Sequence, residues 1–330
     1  MGQPKVTPLP SNINLDGKTA VITGATAGLG LETARQLLTL NISTLVLAVR
    51  NVQKGNACVT DLLADKAIQA RAAKPTIHVL ELDLERYDSV KAFTKTLQDT
   101  IPVIDFLILN AGIYTFEFSR TAHNHERTMQ VNYWSNVLLV TSLLPYLESS
   151  AEKRGSPVQL TWVGSRRYYK SNTLQSDLIP GPGVSVSVSA HMDTEENFGS
   201  ISRYGDSKLL CAMFMYTLAP RLDRSRVLFN MVCPGMVHTD LTSAAPLVIR
   251  ALAAFQKFLS ARPVDVGASL IVNAAVLAGG GSHGMLLGDK DVVEPCDYNK
   301  SDAGQRVQEM LWAETIEEMK SLTALPPVFV

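Results

Sequence analysis

Apolar residues in this chain follow two alternating spacings. Short continuous runs occur at 19–24 (TAVITG), 44–49 (TLVLAV), 76–82 (TIHVLEL), 104–110 (IDFLILN), 157–164 (PVQLTWVG) and 227–233 (VLFNMVC). Between them, apolar positions recur with helical period over 28–40, 52–70, 87–98, 124–148 and 202–222. A run apolar on both faces is a strand that must be covered on both faces. Strands of this kind alternating with helices predict a parallel sheet clad on either side.

Right-handed crossovers then give an α/β, doubly wound Rossmann-type fold, with a parallel sheet of about seven strands. No repeat or low-complexity linker interrupts it. The Gly/Pro/Ser-rich piece LIPGPGVSVSVSA at 178–190 is too short for a domain boundary and reads as a surface insertion near the mouth of a site. We therefore expect a single domain over 1–330. A cofactor-binding part falls at about 17–165 and a catalytic and substrate-covering part at about 166–330. Helices over 240–260 and 263–277 are expected to form the substrate cover.

Composition narrows the class. Hydrophobic residues make up 46% of the 330, enough for a large core, and charged residues 18%. The formal net charge of −1 and the lack of a Lys/Arg run argue against nucleic acid or an anionic membrane as partner. The four cysteines are far apart, which speaks against a zinc site or a disulfide framework. The beginning MGQPKVTPLPSNINLDGK has no apolar core like that of a secretory signal. The apolar stretch at 241–259 is broken by Arg250 and Lys257, so no integral membrane segment is expected. A cytoplasmic protein follows as the expectation, with a homo-oligomer open.

The end of the first run carries the first chemistry. In TGATAGLG, Gly24 permits a tight exit from the strand, and Gly28 and Gly30 remove Cβ atoms where backbone must approach a diphosphate. Thr26 and Leu29 lie between them. The diphosphate would sit on the N-terminus of the next helix, whose free N–H groups favour anions. The second run ends in Arg50, where a site for NAD usually has an acid; an Arg suits a 2′-phosphate, so the cofactor is expected to be NADP(H). Asp83, followed by Leu84, is placed to accept from an adenine amino group or to cap a helix. Asn110, Ala111 and Gly112 end the fourth run, where small residues let backbone pass close to a ribose. None of the six histidines has metal-ligand spacing, so no metal is expected.

Taken in order, TGATAGLG, LNAG, QVNYWSN, WVGS, YGDSK and CPGMVHTDL resemble the short-chain dehydrogenase/reductase family, over residues 19 to about 241. LAVRNVQKGNA and GMLLGD are similar to its retinol-dehydrogenase-like branch, which has many fungal members. The residues themselves suit carbonyl chemistry. Tyr204 and Lys208 are one helical turn apart and share a face. A phenol is a weak acid at neutral pH, and a neighbouring cation is expected to lower its pKa. Ser165 would hydrogen-bond the substrate oxygen as charge develops. The resemblance implies that Asn132 completes the set by holding a water that relays protons to Lys208. It also implies that Pro234, Gly235, Val237 and Thr239 pack on the nicotinamide, and it makes His238 a candidate substrate contact. Ala27 stands where some NADP-dependent relatives have a basic residue, which leaves the 2′-phosphate to Arg50. The expected substrate is an apolar, fairly large carbonyl compound or alcohol. A redox-inactive binder of the dinucleotide is the rival, and it is disfavoured because Asn132, Ser165, Tyr204 and Lys208 are all present.

Overall fold

The computed structural model describes residues 3–170, 187–238 and 261–330. Thr239, most of the 178–190 insertion and the helix expected over 240–260 lie outside these residues. Among them, eight strands form one sheet in the order β3-β2-β1-β4-β5-β6-β7-β8. The strands are β1 (Thr19–Thr23), β2 (Thr44–Val49), β3 (Thr76–Glu81), β4 (Phe106–Leu109), β5 (Val158–Val163), β6 (Val227–Cys233), β7 (Leu286–Gly288) and β8 (Asp291–Val293). The first seven are parallel. β8 turns back antiparallel on β7 through Asp289 and Lys290, both at positive φ, as a two-residue hairpin requires.

The continuous apolar runs are explained by cover on both faces. One core cluster packs α3 (Tyr87–Thr100), α4 (Ser135–Arg154) and α5 (Arg203–Leu218) against the sheet, with Trp162, Phe214 and Phe229 at its centre; α1 (Gly28–Thr39), α2 (Val52–Leu63) and α6 (Val264–Val272) cover the other face. The C-terminal helix α7 (Asp302–Leu322) packs on α5. Among the described residues no helix is long and apolar enough to cross a membrane.

One expectation changes here. The segment expected over 263–277 as substrate cover is a sheet helix: Leu270, Ile271 and Val272 are buried in the second core. It approaches α1 so closely at Gly267 that a Cβ there would lie 2.9 Å from Leu29 Cδ2. The bulk of the insertion expected near the site mouth, 178–186, lies outside the described residues; its last residues, 187–190, dock on α7, where Glu314 accepts from Val188 and Ser189 N–H at 2.7 and 2.8 Å.

The strand order reverses direction between β1 and β4. Crossovers leave these neighbours on opposite sides, which opens a crevice at their carboxyl ends. The site is built there.

Candidate active site

A cavity of about 1950 Å³ opens at this switch point. One wall is the start of α1. Gly24 (φ +69°) and Gly28 (φ +52°) both use the left-handed region, and Gly30 has no room for a side chain. Ala27 precedes the helix and offers no capping side chain, so the first helical N–H groups face the cavity without a side-chain acceptor. Thr26 and Leu29 line it as well. This cradle fits a diphosphate.

The rest of the expected cofactor wall is split between lining and construction. Arg50, Asp83, Leu84, Asn110, Ala111, Gly112, Pro234, Gly235 and Val237 all line the cavity. Arg50 is two-thirds exposed and pairs with Glu85 at 3.3 Å, and Arg127 binds the same carboxylate at 2.6 Å. Asp83 Oδ1 accepts from Glu85 N–H at 3.0 Å, and Arg86, not Asp83, stands at the start of α3. Asn110 turns inward and sews β4 to β1: its Nδ2 donates to the Thr23 and Gly24 carbonyls at 2.9 and 3.2 Å.

Tyr204 and Lys208 enter from α5. The apolar half of this helix, Leu209 to Met215, is wholly buried, which fixes its polar start at the cavity floor. Lys208 is 2% exposed; its Nζ donates to Val163 O at 2.9 Å and lies 5.7 Å from the Tyr204 ring centre. Burial holds the Lys208 ammonium below its ordinary pKa. Ser165 follows β5 and lines the same cavity as Tyr204, where it acts to lower the phenol's pKa.

The acidity of Tyr204 runs opposite to expectation. Burial raises its pKa, the Cys233 and Cys211 thiols add to that, and Arg167 and Ser165 oppose it without prevailing. Lys208 is not among the principal causes. The phenol is therefore protonated at neutral pH, the form from which a proton can be given.

Asn132 does not line the cavity; it stands directly behind it. It lies in a π-helical turn, Gln130–Trp134, at the head of α4. Its amide is a clamp: Oδ1 accepts from Ile113 N–H at 2.8 Å, and Nδ2 donates to Ile113 O at 3.0 Å and to Ser207 Oγ at 2.9 Å. It thus ties the chain after β4 to α5. A Cβ on Gly112 would lie 3.2 Å from Asn132 Oδ1 and 3.5 Å from Lys208 Nζ, so both groups face the same bare backbone. His238 is exposed and is not among the described residues that line the cavity.

Several neighbours were not anticipated. Arg203, next to Tyr204, is fully buried 3.9 Å from the equally buried Glu126. Glu126 in turn accepts from the Thr128 and Met129 N–H groups at the head of the Asn132 turn. A buried pair of this kind couples α5 to the turn at the head of α4. A lone Glu 77 positions before Arg203 gives no sequence signal for it. Tyr114 stacks on Tyr204 with centroids 5.2 Å apart, Phe116 stacks on Tyr114 at 4.5 Å, and Tyr114 donates to Ile201 O at 3.0 Å.

The comparisons with known proteins agree with this geometry. Residues 18–174 match the short chain dehydrogenase family model. Short chain dehydrogenase macD of Penicillium terrestre is 53% identical over 98% of this chain and 97% of its own length. Short chain dehydrogenase yanD of Aspergillus niger is 51% identical over 99% and 98%. Among solved structures, a putative uncharacterized protein from Mycobacterium paratuberculosis superposes with TM-score 0.64 at 25% identity, covering 97% of this chain and all of that one. L-sorbose reductase from Gluconobacter frateurii, solved with NADPH and L-sorbose, shares the fold: TM-score 0.61 at 18% identity, over 86% of this chain and 99% of that one. With near-complete coverage at half identity, and with a cavity that joins a dinucleotide cradle to a Tyr–Lys pair, the chain belongs to the short-chain dehydrogenase/reductase family of nicotinamide-dependent oxidoreductases.

Proposed function

We propose that the protein is an NADP(H)-dependent oxidoreductase that interconverts a carbonyl and a secondary alcohol on an apolar small molecule. The observation that carries the reading is the meeting of Tyr204, Ser165 and Lys208 in the same cavity as the uncapped start of α1. Bound nicotinamide would supply or accept the hydride. The protein's own residues manage the proton and the geometry. Ser165 and Tyr204 hold the substrate oxygen, and Tyr204, kept protonated by burial, gives its proton as the carbonyl becomes an alkoxide. In the oxidation direction Tyr204 takes the proton instead. Lys208 has ammonium protons beyond the one on Val163 O, and these are available to a ribose hydroxyl. Asn132 keeps the Gly112–Ile113 backbone in register with α5, behind the same Gly112 backbone that Lys208 faces. Preference for the 2′-phosphate rests on Arg50. The apolar substrate rests on Tyr114, Phe116 and Phe118, which line the same cavity.

A Tyr204→Phe variant tests the assignment. It should bind NADPH as the parent does and lose about 10²- to 10⁴-fold in turnover on a carbonyl panel. Turnover at the parental rate overturns the proton-donor role.

A further inference from the structure

Gln3 belongs to no strand, to no helix and to no part of the glycine loop, yet its side chain lines the dinucleotide cavity. Its amide has one donor end and one acceptor end. Nε2 donates to Met236 O at 2.7 Å, and Oε1 accepts from Met236 N–H at 2.9 Å. A single side chain thus bonds both backbone groups of one residue; Met236 O also accepts from Arg262 N–H at 2.9 Å, whereas the N–H is held by Gln3. Met236 follows Gly235, which is at φ +78°. A Cβ at Gly235 would fall 2.1 Å from Gln3 Oε1 and 3.1 Å from the guanidinium carbon of Arg262. Gln3 therefore occupies the space that this glycine leaves empty, and it does so where the chain after β6 turns along the cavity wall.

The arm that carries Gln3 is fastened along its length. Lys290 Nζ donates to Thr7 Oγ1 at 3.3 Å and to Pro8 O at 3.1 Å. Val6, Leu9 and Ile13 pack on the second core cluster, and Leu15 N–H donates to Leu40 O at 2.8 Å. The segment is thus tied to the core and then to the cavity.

We propose that Gln3 is a positioning residue for the dinucleotide, holding the 234–237 backbone in the path that brings Pro234, Gly235 and Val237 to the cofactor. The proposal rests on the dinucleotide reading of the cavity. Without Gln3 the Met236 N–H loses this acceptor and the loop keeps only its backbone bonds to Arg262, so its path before Met236 must be ordered by the cofactor when it binds. The cost then appears in affinity.

The test uses the full chain with any tag at its C-terminus. NADPH affinity is followed by quenching of intrinsic fluorescence, together with KM for NADPH, kcat and thermal unfolding without cofactor. Gln3→Ala is expected to raise the NADPH Kd about tenfold through the loss of two neutral hydrogen bonds. It should raise KM for NADPH in parallel and change kcat and the melting midpoint little. Gln3→Glu keeps the acceptor but sets a carboxylate oxygen against Met236 O, so it is expected not to restore affinity. Lys290→Ala loosens the arm with Gln3 still present and should weaken binding by less. A Gln3→Ala protein with parental Kd and KM overturns the proposal, as does one whose melting midpoint falls while its Kd stays unchanged. Failure of the parent itself to bind NADPH would instead reject the dinucleotide reading.

Discussion

Gly30→Ala probes the cradle more sharply than any change at the Tyr–Lys pair. A methyl group at this position would lie 2.4 Å from Gly24 O and 2.5 Å from Asn110 Nδ2. Neither can retreat freely. Gly24 is itself confined, since a Cβ on it would lie 2.9 Å from Ala111 Cα. Asn110 is held by its bonds to the Thr23 and Gly24 carbonyls. Accommodation therefore displaces the amide and breaks two hydrogen bonds worth about 1 kcal/mol each, on top of overpacking of about 1–3 kcal/mol. The sum, about 3–5 kcal/mol, falls on the turn that faces the diphosphate. If about 3 kcal/mol of it is relieved by shifting that turn out of its binding geometry, the dinucleotide Kd rises about 100-fold. Fluorescence titration with NADPH and a thermal melt of the free protein together read both routes. A Gly30→Ala protein with parental Kd and parental melting midpoint would refute the packing argument, because the strain would have gone nowhere.

Two further outcomes follow from the charges. Arg50→Ala should raise KM for NADPH about tenfold or more while leaving KM for NADH within about twofold, since only the phosphate loses a charge-assisted partner; equal effects on the two dinucleotides would remove Arg50 from phosphate recognition. His125 should make stability depend on pH on the alkaline side. Burial opposes its charge, but hydrogen bonds to Asp193 at 2.8 Å and Glu318 at 3.4 Å outweigh burial and raise its pKa to about 9. A folded pKa above the unfolded value of about 6.5 stabilises fully below pH 6.5, and that stabilisation is lost as pH rises through 9. The term amounts to about 3 kcal/mol, so denaturant melts of the parent should weaken from pH 6.5 to 9.5 and those of His125→Gln should not. A parallel decline in both proteins would count against the Asp193–His125–Glu318 link.

How far the site could be read from the chain depends on how local each signal is. β1 to β6 were legible because each is a run of apolar residues between turn residues. β8 was not: it has three residues, begins with Asp291 and lies mostly exposed at the edge. The helix expected over 124–148 begins at Arg127 and includes the π turn at Gln130–Trp134. Apolar periodicity does not register one extra residue in a turn, so the distortion that presents Asn132 was invisible. The helix at 264–272 reads in sequence as substrate cover because apolar residues look alike whether they meet a ligand or the sheet. The acidity of Tyr204 was misjudged for a related reason. The i, i+4 spacing of Lys208 is a sequence fact, whereas the depth of burial that outweighs it is not.

What the sequence determined by itself is therefore the order of strands and helices along the chain, the glycine spacing of the cradle and the Tyr204–Lys208 pair one helical turn apart, while Asn132 is a candidate through the family resemblance. The former depend on short-range spacing and on backbone freedom, both of which are written along the chain. Only the tertiary structure decided that Asn132 clamps Ile113 to Ser207, that Glu126 lies under Arg203, and that Gln3 reaches Met236. Those contacts join residues from 19 to 233 positions apart. Their partners are set by which ends of the sheet the crossovers bring together, and no local pattern encodes that distance.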